Sequence, residues 1–439
     1  MFNKKITGMA VAAVSIGLLA GCGGGKTGTE AVPETKTEEP PKPVTLKVYT
    51  AANDSDFEKY YNQFVKKKFP HVTLERMEKK AQPPSVVYPQ MLAAGTMPDI
   101  ITEGLTNLAA LKELDLMTDL GPLAKKHGFN FEPYNSKIIE SIKSYGEKGE
   151  MYYLPFSVLG FALHYNKDIF DRFGVPYPKD FMTWDDVIEI GKQLTRVDSG
   201  VQYVGIRPPL QMNRMSGQLS LPYADASSKK SLVNSAGWRQ LFEMTKQIED
   251  AQGKPPADAF FRSRDVFMKN KTIAMLPDIL ALQNVDMVAM ANGGLNWDVV
   301  TFPSFKENPR VGTGVFSDGF TLPKGGKNED IAFQVIAYLS SDQEVQTNST
   351  RSGLVTALND AGIRDQAFAD HPAAKGKNLK HIFDMQYPTP ARSTTYDSAV
   401  LGIMNKYLVN FINGTTDVNS ALRDAAEEAD KKIAELSAK

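Results

Sequence analysis

Residues 44–65 read VTLKVYTAANDSDFEKYYNQFV, and two periods in that stretch decide the fold class. Val44, Leu46 and Val48 alternate with Thr45, Lys47 and Tyr49, a repeat of two that places one apolar row on one face of a strand. Ser55 and Glu58, three positions apart, have the form of a capping box. Phe57, Tyr60, Tyr61, Phe64 and Val65 then mark a helix with a single apolar stripe. The alternation continues with a strand at 72–74, a helix over 85–94 ending at Gly95, and a strand at 98–101. Strand, helix, strand, helix, strand implies right-handed crossovers and a largely parallel sheet. The carboxyl ends of such strands form a ligand-facing edge, where Asn53, Asp54, Glu103 and Asn107 would lie.

The whole chain has 439 residues and is 42% hydrophobic, more than a single core usually serves, so two domains are expected. Its 50 Lys+Arg balance 51 Asp+Glu, which gives no electrostatic reason for a nucleic-acid surface. Helical stripes recur at 235–249, 329–339 and 417–436, and Thr183 with Asp186 opens another helix as a capping box. The apolar run at 157–163 reads as a strand crossing from one domain to the other.

Ahead of this body, Lys4 and Lys5 precede an apolar run over 6–20, too short to stay in a bilayer as a permanent helix. It ends in Leu19-Ala20-Gly21-Cys22, which resembles the bacterial lipobox. The resemblance implies removal of residues 1–21 as a signal peptide and a diacylglycerol on the Cys22 sulfur. Cys22 is the only cysteine, so no internal disulfide is available. Residues 22–43 then form a lipidated start and a flexible tether, rich in Gly and Pro and free of aromatic residues.

Other chemistries find little support. His71, His127, His164, His371 and His381 are scattered, without metal-ligand spacing. Asn53, Asp54 and Asp56 lack the glycine and distal glutamate of a calcium loop. Asp185 and Asp186 are helix neighbours that do not converge on one site. There is no GxSxG, Walker or dinucleotide pattern. No metal, cofactor or catalytic residue is expected.

Two stretches carry a family pattern. The first is EMYYLPF at 150–156, LHYNKDIF at 163–170, GVPYP at 174–178 and TWDD at 183–186. The second is WDVVTFP at 297–303 and GFTLPK at 319–324, with Lys327-Asn328 opening a helix. Together they resemble the bacterial extracellular solute-binding proteins of ABC importers, of the sugar-type group that includes the maltose-binding protein. That resemblance implies an α/β, two-lobed periplasmic-binding-protein-like fold with discontinuous lobes, hinge segments and an interdomain cleft. The first lobe would take residues 44–157 and 318–377, and the second 158–317 and 378–439. The implied role is that of a monomeric, lipid-anchored receptor on the outer face of the cell membrane. It would capture a carbohydrate, an oligosaccharide, and deliver it to the permease subunits of an ABC importer with a separate ATPase. A surface glycosidase or lyase stays open as an alternative, as does a binding lipoprotein for a peptide or other polar solute, or for sensing.

Carboxylates, amides and guanidinium groups suit sugar hydroxyls, and aromatic rings cover sugar C–H faces. The candidate ligand contacts are therefore Asp54 and Glu103 after first-lobe strands, and Tyr153 and Phe156 at the crossover, where the resemblance places cleft residues. Arg207 and Asp278 follow second-lobe strands; Trp297, Tyr387 and Arg392 complete the set. Hinge packing is the plainer role for Tyr153 and Phe156, helix capping for Asp54, and a buried anchor for Trp297. Trp184 and Trp238 read as core. Asp278 is followed by Ile279-Leu280, without the tryptophan many sugar binders carry near this point, which argues against a maltose-like stacking platform.

Overall fold

In the computed structural model, which describes residues 41–209, 211–252, 263–283 and 293–438, the alternating run becomes strand β1 (Val44–Thr50). Strands β2 (Val72–Glu78) and β3 (Ile100–Gly104) flank β1, both parallel to it. The intervening helices bury Phe57, Tyr61, Phe64 and Val65, then Val87 and Tyr88. The first helix starts two residues earlier than its Ser55 signal. Asn53 is the cap: its carbonyl oxygen accepts from the Asp56 amide and its amide donates to the Asp56 carboxylate, both at 2.9 Å. The first of these is the cap bond that Ser55 would have made, and the second joins the two side chains where a capping box would use the cap residue's backbone N–H. The lipobox and tether lie outside the described residues.

The later strands are β4 (Leu154–Val158), β5 (Phe161–Asn166), β6 (Arg196–Asp198), β7 (Val201–Ile206), β8 (Ala224–Asp225), β9 (Lys230–Ser231), β10 (Ile273–Ile279), β11 (Trp297–Thr301) and β12 (Ser317–Thr321). They form two five-stranded sheets, ordered β2-β1-β3-β12-β4 and β11-β5-β10-β7-β6, and a β8-β9 ribbon. The stretch 157–163 is not one strand. Residues 159–160 break it, so β4 ends in the first sheet and β5 begins in the second.

The sheets are parallel where strands follow βα units (β1 with β2 and β3, β7 with β10) and antiparallel at β12 and β5. The reason is directional. β5 and β12 arrive from the opposite sheet, so each starts at the edge facing the gap and runs away from it. Their neighbours end at that edge.

Three segments cross between the sheets, at 159–160, 302–316 and around 382–393. Gln283 braces the first: its amide donates to Val158 O (2.9 Å) and Gly353 O (3.0 Å), and its oxygen accepts from Gly160 N (2.6 Å). The third lies along the second, with Gly312 N donating to Gln386 O (2.9 Å) and Gln386 N to Arg310 O (2.8 Å). The expected helices form as Ala236–Asp250, Glu329–Ser341 and Val418–Ser437, and the Thr183–Asp186 capping box is complete.

β12 meets β4 at a point with no spare room. A Cβ on Gly319 would stand 2.2 Å from Leu154 O and 2.7 Å from the Tyr153 ring, and the register shifts between Asp318 and Gly319. Gly319→Ala must push β12 off β4. It should destabilise the chain by about 3 kcal/mol, read as a lowered denaturant midpoint with an unchanged slope.

Candidate ligand-binding cleft

The strand ends that face the gap enclose a cleft of about 350 Å³. Its first wall is the Leu105–Asn107 turn, which follows β3, joined by Ser141, Ser144 and Tyr145 at the end of the Ser136–Lys143 helix. The facing wall is Asn213, Ser216 and Gly217 of the Asn213–Gln218 helix, then Tyr223. Gly314 and Phe316, on the crossing that leads into β12, Arg392 at the end of the third crossing, and Asp397 beyond it complete it.

The second wall is held from behind. Trp184 Nε1 donates to Gln218 Oε1 and Trp238 Nε1 to Pro222 O, each at 3.1 Å. The Gln218 amide in turn donates to Pro303 O (2.8 Å) and Val311 O (2.9 Å), tying the helix to the crossing segment. Tyr223 packs on Trp238 with ring centroids 5.0 Å apart. The Arg214 guanidinium sits 4.0 Å from the Phe316 ring centre and 4.6 Å from that of Phe161, fixing the ring that lines the cleft. Two of the three tryptophans therefore position cleft residues from the core.

On the first wall, buried Glu103 organises the polar groups. Its carboxylate accepts from Lys79 (2.7 Å), the Tyr88 hydroxyl (2.7 Å) and the Asn107 amide (2.5 Å), so Asn107 is presented to the cleft in one orientation. Asp318 lies beside Gly104, one residue from that turn, and its carboxylate accepts no hydrogen bond among the described residues. Water reaches its carboxyl, yet protein surrounds it closely, as in a recess. That enclosure pushes it up to about 6, with Lys79 opposing and Glu103 adding to the shift. Burial also pushes Asp397 up to about 6, though Thr394 donates to both of its oxygens, at 2.6 and 3.1 Å. Burial pushes Tyr145 up to about 12, so its hydroxyl stays neutral. Asn213 Oδ1 is buried without a partner, an acceptor open to a ligand donor.

Of the sequence candidates, Arg392 lines this cleft, and Glu103 acts on it through Asn107. The others stand elsewhere. Asp54 is an exposed residue paired with Arg76 Nε (2.5 Å). The Tyr153 hydroxyl donates to Glu103 O (2.9 Å) and Ser317 O (3.0 Å) in the core, and Phe156 packs on Tyr61 and Phe320 with centroids 5.4 Å apart. Arg207 is buried against Glu249 (3.1 Å), Gln252 (2.6 Å) and Ser263 (3.2 Å). Asp278 accepts two bonds from Arg264, at 2.6 and 2.8 Å. Trp297 is a buried anchor with Lys377 4.2 Å from its ring centre, and Tyr387 lines smaller cavities behind the third crossing. Sequence reasoning passed over the cleft residues Tyr145, Tyr223, Phe316 and Asn213. The three rings share a signal: each stands next to Gly or Pro, or two residues from one, outside a helical stripe.

The family described as bacterial extracellular solute-binding protein matches residues 51–346. Solved structures share the fold. An ABC substrate-binding protein from Listeria monocytogenes, in complex with cycloalternan, is 20% identical at a TM-score of 0.72, covering 90% of this chain and 99% of that one. The GacH receptor of Streptomyces glaucescens, solved unliganded and with acarbose, is 15% identical at 0.64, with coverages of 89% and 98%. The maltose/maltodextrin-binding domain from Bdellovibrio bacteriovorus, bound to maltotriose, is 15% identical at 0.63, with coverages of 89% and 100%. No protein of curated function matches the sequence.

The raised carboxyls make stability pH-dependent. An acid near 6 when folded and 3.8 when unfolded holds its proton more tightly in the folded chain. The stability Asp318 and Asp397 contribute is therefore fullest below pH 3.8, declines as pH rises toward 6 and stays low above it. Asp318→Asn removes one share of that decline. Without ligand, its Tm should exceed the parent's at about pH 7.5, with the difference shrinking toward about pH 4. A pH-independent difference would contradict this assignment.

Proposed function

This chain belongs to the bacterial extracellular solute-binding protein family, and from that premise we propose that it captures a carbohydrate in the cleft between its lobes and delivers it to an ABC permease. The observation that carries the carbohydrate reading is the pairing of ring faces with hydrogen-bonding groups in one cleft. Tyr145, Tyr223 and Phe316 supply the faces, and Asn107, Asn213, Ser216 and Arg392 supply donors and acceptors. Pyranose rings present that combination of C–H faces and hydroxyl edges. The cycloalternan, acarbose and maltotriose bound by structural relatives support the same class of solute.

The rest of the proposal follows from that role. Residues 44–157 with 318–377 would close on 158–317 with 378–439, ligand bridging the walls and shifting an open–closed equilibrium. Cys22, acylated after removal of residues 1–21, would hold a monomeric receptor to the outer face of the membrane on the 22–43 tether. ATP hydrolysis would belong to a separate subunit of the importer. Catalysis by this chain is not part of the proposal, because the matching family and the solved relatives are solute-binding proteins.

Thermal unfolding against mono- and oligosaccharides, polyols and short peptides tests this reading. A ligand at one hundred times its Kd adds about 2.7 kcal/mol of apparent stability. A saturable rise in Tm with an oligosaccharide recovered unchanged is expected. Phe316→Ala should weaken that binding by about tenfold, or about 1.4 kcal/mol. A response to peptides alone would contradict the carbohydrate assignment, and a shortened sugar product would contradict the receptor assignment.

A further inference from the structure

Arg392 faces a second cavity as well as the cleft. This outer cavity has a volume of about 370 Å³, and Ser144, Pro390 and Arg392 line both. The remaining lining of the outer cavity comes from Glu140, Lys143, Gly146, Glu147 and Gly149 of the first wall, with Thr389 of the third crossing. Ser144, Pro390 and Arg392 form the divide between the cavities. Beside Ser144, the Ser393 hydroxyl stands 3.3 Å from the Ser144 hydroxyl.

The two cavities differ in chemistry. Three aromatic rings line the inner one, and none lines the outer. In the outer groove the acids are occupied, Glu140 by Lys137 at 2.7 Å and Glu147 by Lys112 at 3.9 Å. Lys143 and Arg392 make no side-chain hydrogen bond or contact ion pair among the described residues, so both have their donors available. A single sugar ring has no use for both spaces. A chain of rings does: one unit stacks on Tyr145, Tyr223 and Phe316, and the next units cross the divide to present hydroxyls to Lys143 and Arg392.

We infer that the solute is a linear oligosaccharide that extends from the stacking cleft across the Ser144–Arg392 divide into the outer groove, where hydrogen bonds rather than ring stacking hold it. This rests on the carbohydrate reading of the inner cleft and adds the length and direction of the ligand.

Isothermal titration of the purified chain with two series, maltose to maltohexaose and mannobiose to mannohexaose, tests the inference. In the series that binds, affinity should rise about tenfold from di- to tetrasaccharide. Thr389→Trp fills the outer groove from an exposed position, and Lys143→Ala removes one of its free donors. Each variant should cut that length-dependent gain to about threefold or less. Equal affinity at every length, or a gain that both variants leave intact, overturns the inference and leaves the carbohydrate reading standing. Failure of the parent to bind any member of either series, with a saturable response to a monosaccharide or polyol, overturns the inference alone, and no response to any carbohydrate overturns both.

Discussion

A chain that builds two sheets facing one gap, and crosses that gap more than once, must begin every arriving strand at the edge where the resident strands end. β5 and β12 obey this constraint, and the rest of the molecule follows from it. Because β12 starts at the edge, Ser317 and Asp318 fall beside Gly104 at the carboxyl end of β3. Because β12 must also fit against β4, its third residue is Gly319, and the Tyr153 ring closes over it. The acid in the recess and the packing that holds it there are neighbours for the same geometric reason.

The energetics of the cleft reflect its use. The Asp318 carboxylate lacks a hydrogen-bond partner among the described residues and is held well above its ordinary range by enclosure, a local cost to folding at neutral pH. Glu103, one residue before Gly104, is the opposite case. Lys79, Tyr88 and Asn107 satisfy it completely, so it contributes rigidity rather than a free acceptor. The satisfied acid fixes the wall that carries Asn107, whereas the unpaired one lies behind that wall and not among the residues that line the cleft.

Much of the fold was legible in the sequence because periodicity records burial. The alternation at 44–50 and the stripes that became Ala236–Asp250, Glu329–Ser341 and Val418–Ser437 state which face is apolar. The break between β4 and β5 was not legible, since LPFSV and FALHYN are both wholly buried and apolarity runs through the crossing. The site was less legible for the same reason. Tyr153, Phe156 and Trp297 looked like cleft rings, but sequence cannot separate a ring that lines a cleft from one that fills a core. The cleft rings Tyr145, Tyr223 and Phe316 stand outside any repeat, in Tyr-Gly, Pro-Tyr and Gly-Val-Phe contexts where the backbone turns. Arg207 follows β7 as expected, whereas Asp278 lies inside β10, and each pairs with an oppositely charged side chain instead of lining the cleft.

The central claim is that one solute touches both walls of the cleft at once. Amide hydrogen exchange with and without a bound oligosaccharide measures this most directly. The account predicts simultaneous protection of residues 105–107, 213–223 and 388–393, which belong to the two walls and the third crossing. Protection confined to one wall, or centred on Asp54 or Arg207, would contradict it.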